Sequence, residues 1–331
     1  MTPLSRTHAV DDSSPAAVTA AAQKGLAFLE KEGAVWYEEK NCLSCHHTPF
    51  QVRAHREAQR RGLPVDQKKL DEWVGWCVER AEPKGGNDVL AELMVFLSRD
   101  MVPPGEAQKK LETLPTQIAS FQKPDGSWAA SGQFHAEGWP QTEANEATTR
   151  LMLQSLNLPW ADAEITKANR ERAVAWLKSR DAESSKGEPK STRSYATRLA
   201  YAVHTNEPAE QTAALSEKLI ALQKPDGGWS WKMDADGSDP ITTGEVLYTL
   251  NSAKAKAKAM DTVTPRAVAY LLKAQSEDGS WYQDHKRISN KIRKEEKPKV
   301  DGIYSYWASA WATLGLLSTL PEVKAEVTVV E

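Results

Sequence analysis

Apolar residues recur along this chain with the spacing of one face of an α-helix. Leu215, Leu219 and Leu222 follow one another at i, i+4 and i+7, and the stretch NDVLAELMVFL, residues 87–97, also carries its apolar side chains on one face. This spacing is typical of an amphipathic helix that buries its apolar face. The pattern predicts an all-α protein.

Three copies of one turn segment lie between such helices. They read SFQKPDGSWAA (residues 120–130), ALQKPDGGWSW (221–231) and KAQSEDGSWYQ (273–283), with Gln and Trp at the same spacing in each copy. Asp-Gly indicates a turn, because Gly adopts the positive φ that ends a helix or closes a tight turn. A second apolar helix follows each copy, so the unit is a helix, a turn and a helix.

Weaker copies of this unit fill the rest of the chain. The first helices of the units are centred near residues 29, 76, 121, 177, 222 and 274, which is a period of roughly 45 to 56 residues. Such a period is typical of repeat proteins in which each helical pair is buried against its neighbours. Since neither end shows a polar capping repeat, we expect the six pairs to close into a ring. The predicted fold is a single (α/α)6 toroid over residues 21–322, between a flexible segment 1–20 and a tail 323–331.

The Q-x-x-D-G-x-W segments resemble the QW motifs of squalene–hopene and oxidosqualene cyclases, and the repeats of protein prenyltransferase β subunits. The resemblance covers most of the chain. It implies an (α/α)6 toroid with a cavity at its centre, in which Gln caps a helix and Trp packs against neighbouring turns. For Trp128, Trp229 and Trp281 it therefore implies a structural role. It implies less about activity, because a fold does not carry an activity with it.

The catalytic motif of the cyclases is not reproduced in this sequence. The enzymes resembled here begin with a protonated aspartate in D-x-D-D-T, whereas the nearest stretch, KMDADGSDPITT at residues 232–243, reads D-x-D-G-S-D-P. Its acids Asp234, Asp236 and Asp239 are typical of a solvated loop or a helix N-cap. This departure argues against triterpene cyclisation.

The zinc site of the prenyltransferases is missing in a similar way. Those enzymes bind zinc through a separated Asp, Cys and His, and Cys77 is the only cysteine far from residues 42–45. Cys77 lies between tryptophan and valine, a context that favours a buried, inert thiol.

The stretch NCLSCHHTPF, residues 41–50, carries a separate chemical signal. Its first part fits C-x-x-C-H, the haem attachment signal of c-type cytochromes. Two thiols at this spacing reach the two vinyl groups of one porphyrin, and the following His supplies a nitrogen to the iron. We therefore predict covalent haem c attached to Cys42 and Cys45, with His46 as the iron ligand.

Other uses of these residues remain open. Zinc is the weaker alternative, because a structural site needs four ligands and the adjacent His46 and His47 cannot easily both bind one ion. A thioredoxin-like redox pair is typical of a βαβ context, which this helical chain lacks. An ordinary disulfide within C-x-x-C would be strained.

The place of the motif in the repeat suggests how a haem would be used. The motif joins a first helix to a second helix, so a haem would cover or enter the cavity at one end of the toroid. The sixth position of the iron would then separate an enzyme or gas sensor from an electron carrier. Possible sixth ligands are His135, His204 and His285, whereas Met233 and Met260 form no obvious distal methionine motif.

Three residues are weak catalytic candidates. His47 follows the proximal ligand and could bond a haem propionate or tune the site. Glu146 and Tyr195 lie at the starts of the second helices of the third and fourth repeats, at the expected end of the toroid.

Two further patterns bear on ligands and partners. Tyr304, Trp307 and Trp311 follow at i, i+3 and i+7, and this aromatic stripe either lines the cavity or packs in the core. Residues 285–299 contain seven Lys or Arg residues, which could pair with haem propionates, dock an acidic redox partner or form a solvated loop.

Composition excludes several classes of function. The chain has 331 residues and a formal net charge of -3, which gives no electrostatic reason to expect a nucleic-acid partner. It contains no apolar run long enough for a transmembrane helix. Because c-type attachment takes place after export, we expect a periplasmic or otherwise exported protein. Residues 1–20 lack the apolar region of a signal peptide, so the signal is expected to be absent from this sequence.

Three functional hypotheses follow. The first is a haem-dependent oxidoreductase that holds a small-molecule or hydrophobic ligand in an apolar central cavity. The second is a non-catalytic haem protein, either an electron-transfer module with a redox partner protein or a gas sensor. The third is a haem-free relative of the terpene cyclases and prenyltransferases.

Overall fold

The structure is a computed structural model that describes residues 13–40, 43, 47–82, 87–97, 101–102, 104–131, 139–183, 189–255, 257–284 and 294–323. These residues form twelve α-helices, which are α1 (Pro15–Lys40), α2 (Thr48–Arg60), α3 (Gln67–Glu79), α4 (Asn87–Phe96), α5 (Glu106–Ser120), α6 (Gln141–Leu156), α7 (Ala163–Glu183), α8 (Thr192–His204), α9 (Ala209–Ala221), α10 (Pro240–Ser252), α11 (Ala257–Ala274) and α12 (Lys297–Leu317).

The even-numbered helices form an inner ring. Each contacts the next even-numbered helix, from α2 through α4, α6, α8 and α10 to α12, and α12 in turn contacts α2. The odd-numbered helices pack on the outside of this ring, and α11 contacts α1 across the point of closure. The prediction of an all-α (α/α)6 toroid is therefore confirmed.

Burial distinguishes inner helices from outer ones. Residues 306–318, in and just after α12, are buried without interruption, whereas α9 buries only Ser216 and Leu219. A helix that is apolar all round must be enclosed on every side, while a helix with one apolar stripe can face solvent. The second helix of each repeat therefore lies inside the ring and the first lies outside.

The three turn segments join repeats through the same set of hydrogen bonds. The buried indole N–H groups of Trp128, Trp229 and Trp281 donate to the carbonyl oxygens of Ile118, Leu219 and Leu271 at 2.8, 2.7 and 2.8 Å. The Gln amide of each segment donates to the Gly carbonyl of its own turn and to a backbone carbonyl of the next outer helix. The structural role that the resemblance implied for these residues agrees with this geometry.

Each turn requires its glycine. Gly126, Gly227 and Gly279 have φ values of +93°, +95° and +89°, where a side chain is strained. A Cβ at any of them would also overlap a backbone carbonyl of the next outer helix. Glycine therefore permits the close contact between repeats that stacks the helical pairs.

The toroid begins earlier in the chain than the predicted boundary at residue 21. Helix α1 begins at Pro15, the Ser14 hydroxyl accepts a hydrogen bond from the Ala17 N–H at 3.3 Å, and Val18 is buried. This first turn buries apolar surface and is therefore part of the domain. At the other end, the Val323 N–H donates to the Arg60 carbonyl oxygen at 3.0 Å, so the described end of the chain contacts α2.

None of the described helices is both long enough and apolar enough to cross a bilayer.

Candidate functional site

A cavity of about 460 Å³ lies on the axis of the toroid. All six inner helices line it, with contributions that include Arg53, Glu92, Leu151, Arg193, Glu245 and Trp307. Its volume falls in the range of pockets that enclose small molecules, about 300–1,000 Å³.

Aromatic rings form much of the cavity wall. Phe50 of α2 packs edge-on against Phe96 and Trp311, with ring centroids 5.1 and 5.3 Å apart, and Trp307 lies one helical turn before Trp311. Both tryptophans line the cavity, and their buried indole nitrogens have no hydrogen-bond acceptor among the described residues. A buried Trp N–H normally has a partner, so two such donors without an acceptor are unusual. Tyr304, the third member of the stripe, is buried but is not part of this wall.

Glu92 of α4 is the buried carboxyl of the cavity. It is 8% exposed, and its Oε2 atom has no hydrogen-bond partner in the described part of the chain. Burial raises its pKa well above the usual range, the nearby Asp88 carboxylate raises the pKa further, and Arg193 and Arg53 only partly oppose this. Burial therefore favours the protonated form of Glu92, which can act as a proton donor.

Arg193 and Glu245 form a buried ion pair across the cavity from α8 to α10. Two guanidinium N–H groups, those of Nε and Nη2, donate to the two carboxylate oxygens, the second at 3.3 Å. The guanidinium also lies over the Trp307 ring, 4.6 Å from its centroid. The pair satisfies both charges locally, so it serves mainly to fix the wall around Glu92.

Arg53 of α2 is held differently from Arg193. Its guanidinium lies 4.2 Å from the Phe96 ring centroid, 4.8 Å from that of Tyr248 and 5.2 Å from that of Trp311. Among the residues that the structure describes, it forms neither an ion pair nor a hydrogen bond. Aromatic faces stabilise its charge but leave its N–H donors unused.

His204 lines the cavity near the C-terminal ends of the inner helices, together with Gln154 and Ser252. Burial lowers the pKa of His204, although a hydrogen bond with the Gln154 backbone works in the opposite direction. The imidazole is therefore neutral at pH 7 and can accept a proton.

The predicted haem-binding residues Cys42, Cys45 and His46 lie outside the described residues. The described helices on either side are outer helix α1, which ends at Lys40, and inner helix α2, which begins at Thr48. His135 and His285, two of the possible sixth ligands, also lie outside the described residues. The same is true of residues 285–293, which are most of the basic run at 285–299. Met233 and Met260 are partly buried against the core, away from the cavity wall.

His47 lies in an aromatic sandwich at the start of α2. Its ring stacks on Trp36 at 3.9 Å and on Tyr306 at 4.1 Å between centroids, with interplanar angles of 17° and 15°. The imidazole is 5% exposed. This position joins α1, α2 and α12 next to the predicted haem attachment segment.

The other two weak candidates lie outside the cavity wall. Glu146 is buried among three arginines, with Arg198 at 2.7 Å, Arg150 at 3.2 Å and Arg180 at 3.8 Å, and this network joins α6, α7 and α8. Tyr195 is buried in the apolar core of α8, with the Lys218 ammonium 5.6 Å from its ring centroid. Both residues are on inner helices, as predicted, but their side chains are directed between helices.

Two readings of polar or reactive residues agree with the structure. Asp239 is the N-cap of α10 and accepts hydrogen bonds from the Thr242 N–H at 2.8 Å and the Trp231 N–H at 3.0 Å. Cys77 is fully buried, and burial raises its thiol pKa. In the described part of the chain, no group of three or more His, Cys, Asp or Glu side chains is arranged to hold a metal ion.

Sequence reasoning missed Glu92, Asp88, Arg53 and Arg193. A signal was present for the acids, because Asp88 and Glu92 are four positions apart within the otherwise apolar NDVLAELMVFL and so share a face of α4. A buried pair of acids in an apolar helix is costly and therefore suggests function. The arginines gave no comparable signal, since Arg on a helix usually faces solvent.

Comparison with known proteins supports the fold. No protein-family model matches the chain, and no curated protein is significantly similar to it. Among solved structures it is similar to a polysaccharide lyase, with a TM-score of 0.58 at 13% identity over 90% of this chain and 97% of that one. It is also similar to the type II terpene cyclase MstE from Scytonema, as an apo variant, with a TM-score of 0.56 at 14% identity over 93% of this chain and 99% of that one. A second MstE variant, in complex with geranylgeranyl dihydroxybenzoate, gives a TM-score of 0.56 at 13% identity over 92% of this chain and 97% of that one. The chain therefore has the α/α toroid fold that these solved structures share.

Proposed function

We propose that this protein is an enzyme that protonates a largely apolar, unsaturated substrate in its central cavity, with Glu92 as the acid. The proposal rests on one observation above the others. Glu92 is a buried carboxyl with an unpartnered oxygen, on the wall of an aromatic cavity, and burial raises its pKa well above the usual range, which favours the protonated form. This is the haem-free hypothesis, with a glutamate on α4 in place of the cyclase D-x-D-D-T motif.

The walls of the cavity favour an apolar substrate. Phe50, Phe96, Trp307 and Trp311 surround the space, and apolar surface buried against them would drive binding. The MstE variant with geranylgeranyl dihydroxybenzoate has the same fold, and that molecule is described as its substrate. We take this as support for an isoprenoid-like substrate here.

The residues around Glu92 would carry out separate parts of the reaction. The carboxyl transfers its proton to the substrate and becomes a carboxylate, which Arg193 and Arg53 then stabilise by their charge. Positive charge that forms on the substrate is attracted by the negative charge that proton transfer leaves on Glu92. The neutral imidazole of His204 is a candidate to accept the proton that ends the reaction.

The test is turnover of a panel of linear polyprenyl hydrocarbons, alcohols and acids in D2O buffer, followed by mass spectrometry. The expected product is an isomer that has gained deuterium from Glu92. Glu92→Gln should lower the rate at least about 100-fold, because general acids contribute factors of this size. The matched control is Glu57→Gln, a buried glutamate of inner helix α2 that does not line the cavity and pairs with Arg61 and, at the cavity rim, with Arg60, and it should keep activity. Equal rates in wild type and Glu92→Gln, or no product from any substrate, would refute the proposal.

Covalent haem c is a second candidate, and the C-x-x-C-H motif is the observation that favours it. The donor set fits the group, because Cys42 and Cys45 would hold the porphyrin and His46 would bind the iron. The described residues around the motif include Leu43, which packs against the core, and His47, whose ring stacks on those of Trp36 and Tyr306. When bound, haem would supply redox chemistry if the protein is an oxidoreductase or an electron carrier. It would supply an iron that binds a gas if the protein is a sensor.

A visible spectrum tests this second candidate. Protein exported to a periplasm with c-haem maturation should show a c-type α band that persists through acid–acetone extraction, and Cys42→Ala with Cys45→Ala should abolish the band. A high-spin spectrum would favour an open-site enzyme or sensor, and a low-spin spectrum would favour an electron carrier. No Soret band in wild type would refute haem. Turnover of a polyprenyl substrate by the double alanine variant would show that the acid chemistry is independent of haem.

A further inference from the structure

We infer that the central cavity recognises an amphipathic monocarboxylate, whose anionic head binds Arg53 while its apolar chain lies along the aromatic wall. This inference rests on the proposed function, because it names the substrate class of the same cavity. It is carried by the environment of Arg53 and by the unpartnered donors around it, so it can be tested by binding alone.

The charges of the cavity leave one cation available. Arg193 is neutralised by Glu245. Arg60, at the rim, is paired with Glu57 at 3.6 Å and Glu322 at 3.3 Å. Burial disfavours a negative charge on Glu92. Arg53 therefore presents a positive charge that only aromatic faces accompany, in the part of the chain that the structure describes.

Several hydrogen-bond donors of residues that line the cavity have no acceptor within the described part of the chain. The guanidinium of Arg53 has five N–H donors, and none of them is used within the described residues. The indole N–H groups of Trp307 and Trp311 are buried without an acceptor, on one face of α12. In its protonated form, which burial favours, the Glu92 carboxyl adds a further O–H donor. A carboxylate is an acceptor-only group and is the complement of this set.

The chemistry also selects against other head groups. A diphosphate carries more negative charge than one arginine neutralises, whereas a single carboxylate matches the guanidinium in charge and in its two-pronged geometry. A cationic head would be attracted by the aromatic rings, but Arg53 already lies over Phe96, Tyr248 and Trp311 and would repel it. An alcohol could use the donors but would leave the charge of Arg53 uncompensated.

The experiment is calorimetric binding of dodecanoate, dodecanol and dodecylamine, which share one chain and differ in the head group. Wild-type protein should bind dodecanoate at least about tenfold more tightly than dodecanol, since a hydrogen bond to a charged group contributes a factor of this size or more. Arg53→Met should remove this preference and leave dodecanol affinity unchanged. Arg53→Lys, which keeps the charge but loses the two-pronged geometry, should retain part of it. Thermal unfolding of each variant confirms that it is folded.

Arg60→Met is the matched control, because Arg60 is on the same helix and lines the same cavity but is already paired. The preference for dodecanoate should survive in this variant. Equal affinities for dodecanoate and dodecanol in wild type would overturn the inference and leave the proposed apolar-substrate site standing. An equal loss in Arg60→Met would overturn the role of Arg53 in favour of a diffuse positive field. Binding of none of the three ligands would overturn both the inference and the proposed function.

Discussion

The side-chain amide of Gln275 donates a 2.9 Å hydrogen bond to the carbonyl oxygen of Ala21, a residue 254 positions earlier in the chain. Gln122 and Gln223 make the equivalent bond to the next outer helix, at the carbonyl oxygens of Asn169 and Val263. Because Ala21 belongs to the first outer helix, the third copy of the bond joins the last repeat to the first. The contact that stacks neighbouring repeats therefore also closes the ring.

Substitution of Gln275 should loosen this closure. Gln275→Ala removes the bond to Ala21 and a second bond, of 3.1 Å, to the Gly279 carbonyl oxygen, and we expect the free energy of unfolding to fall by about 1–3 kcal/mol. Urea denaturation measures the change, and limited proteolysis should show earlier cleavage within α1. The exposed Gln211 of α9 is the control, and Gln211→Ala should change stability by less than about 0.5 kcal/mol. An unchanged free energy of unfolding in Gln275→Ala would mean that packing alone closes the ring.

The turn glycines should not tolerate a side chain. Gly227 has a φ of +95°, and a Cβ there would overlap the Arg266 carbonyl, so Gly227→Ala should destabilise the protein by roughly 2 kcal/mol or more. Gly237, in the following loop, is exposed and has open space around its Cα, so Gly237→Ala should be close to neutral. The midpoint temperatures of thermal unfolding of Gly227→Ala and Gly237→Ala measure this difference in stability. Similar midpoints would contradict the close approach between repeats.

Glu92 should make stability depend on pH in a specific direction. Its pKa in the folded protein is raised well above its ordinary value of 4.5. At a pH between the ordinary pKa and the raised pKa, the carboxyl is protonated in the folded state but ionised in the unfolded state. Folded-state stabilisation from this group is complete below pH 4.5 and is lost as the pH rises through the raised pKa.

The comparison of wild type with Glu92→Gln isolates this effect, because other titrating groups are shared. The difference in free energy of unfolding, wild type minus variant, should decrease steadily between pH 5 and pH 8 in guanidinium denaturation. A difference that stays constant or increases over this range would show that Glu92 is ionised in the folded protein.

Cys77 should be unreactive in the folded protein. Its thiol is fully buried on α3 and burial raises its pKa, so the thiolate is scarce and reagents have no access to it. In a variant with both Cys42→Ala and Cys45→Ala, a disulfide reagent at pH 8 should label no thiol before denaturation and one thiol after it. Full labelling under native conditions would contradict the burial of this helix face.

The repeat pattern made most of the fold predictable. Gln, Gly and Trp at one fixed spacing indicated the three strongest turns, and the helices between them carry apolar faces with the period of an α-helix. The predicted domain begins at residue 21, whereas α1 begins at Pro15. Val18 and the capping Ser14 give a weak signal in the sequence, because their burial depends on residues that are distant in the chain. Local chemistry therefore predicted the elements better than it predicted their ends.

The site could be predicted only in part. The aromatic stripe of α12 was recognised, and Trp307 and Trp311 do line the cavity. Glu146 and Tyr195 were chosen because they begin inner helices, yet their side chains face Arg198 and the apolar core. The rotation of an inner helix about its own axis decides which residues face the cavity, and that rotation depends on both neighbouring helices.

By itself, the sequence determined the helical pairs, their turns and their number, because each of these depends on residues close together in the chain. It also determined the C-x-x-C-H motif, which remains a prediction of covalent haem. Only the tertiary structure decided that Arg53, Glu92, Arg193 and Glu245 share one cavity, since they come from four inner helices that meet when the ring closes. Their burial together, which raises the pKa of Glu92 and leaves Arg53 with aromatic partners, is a property of the closed toroid.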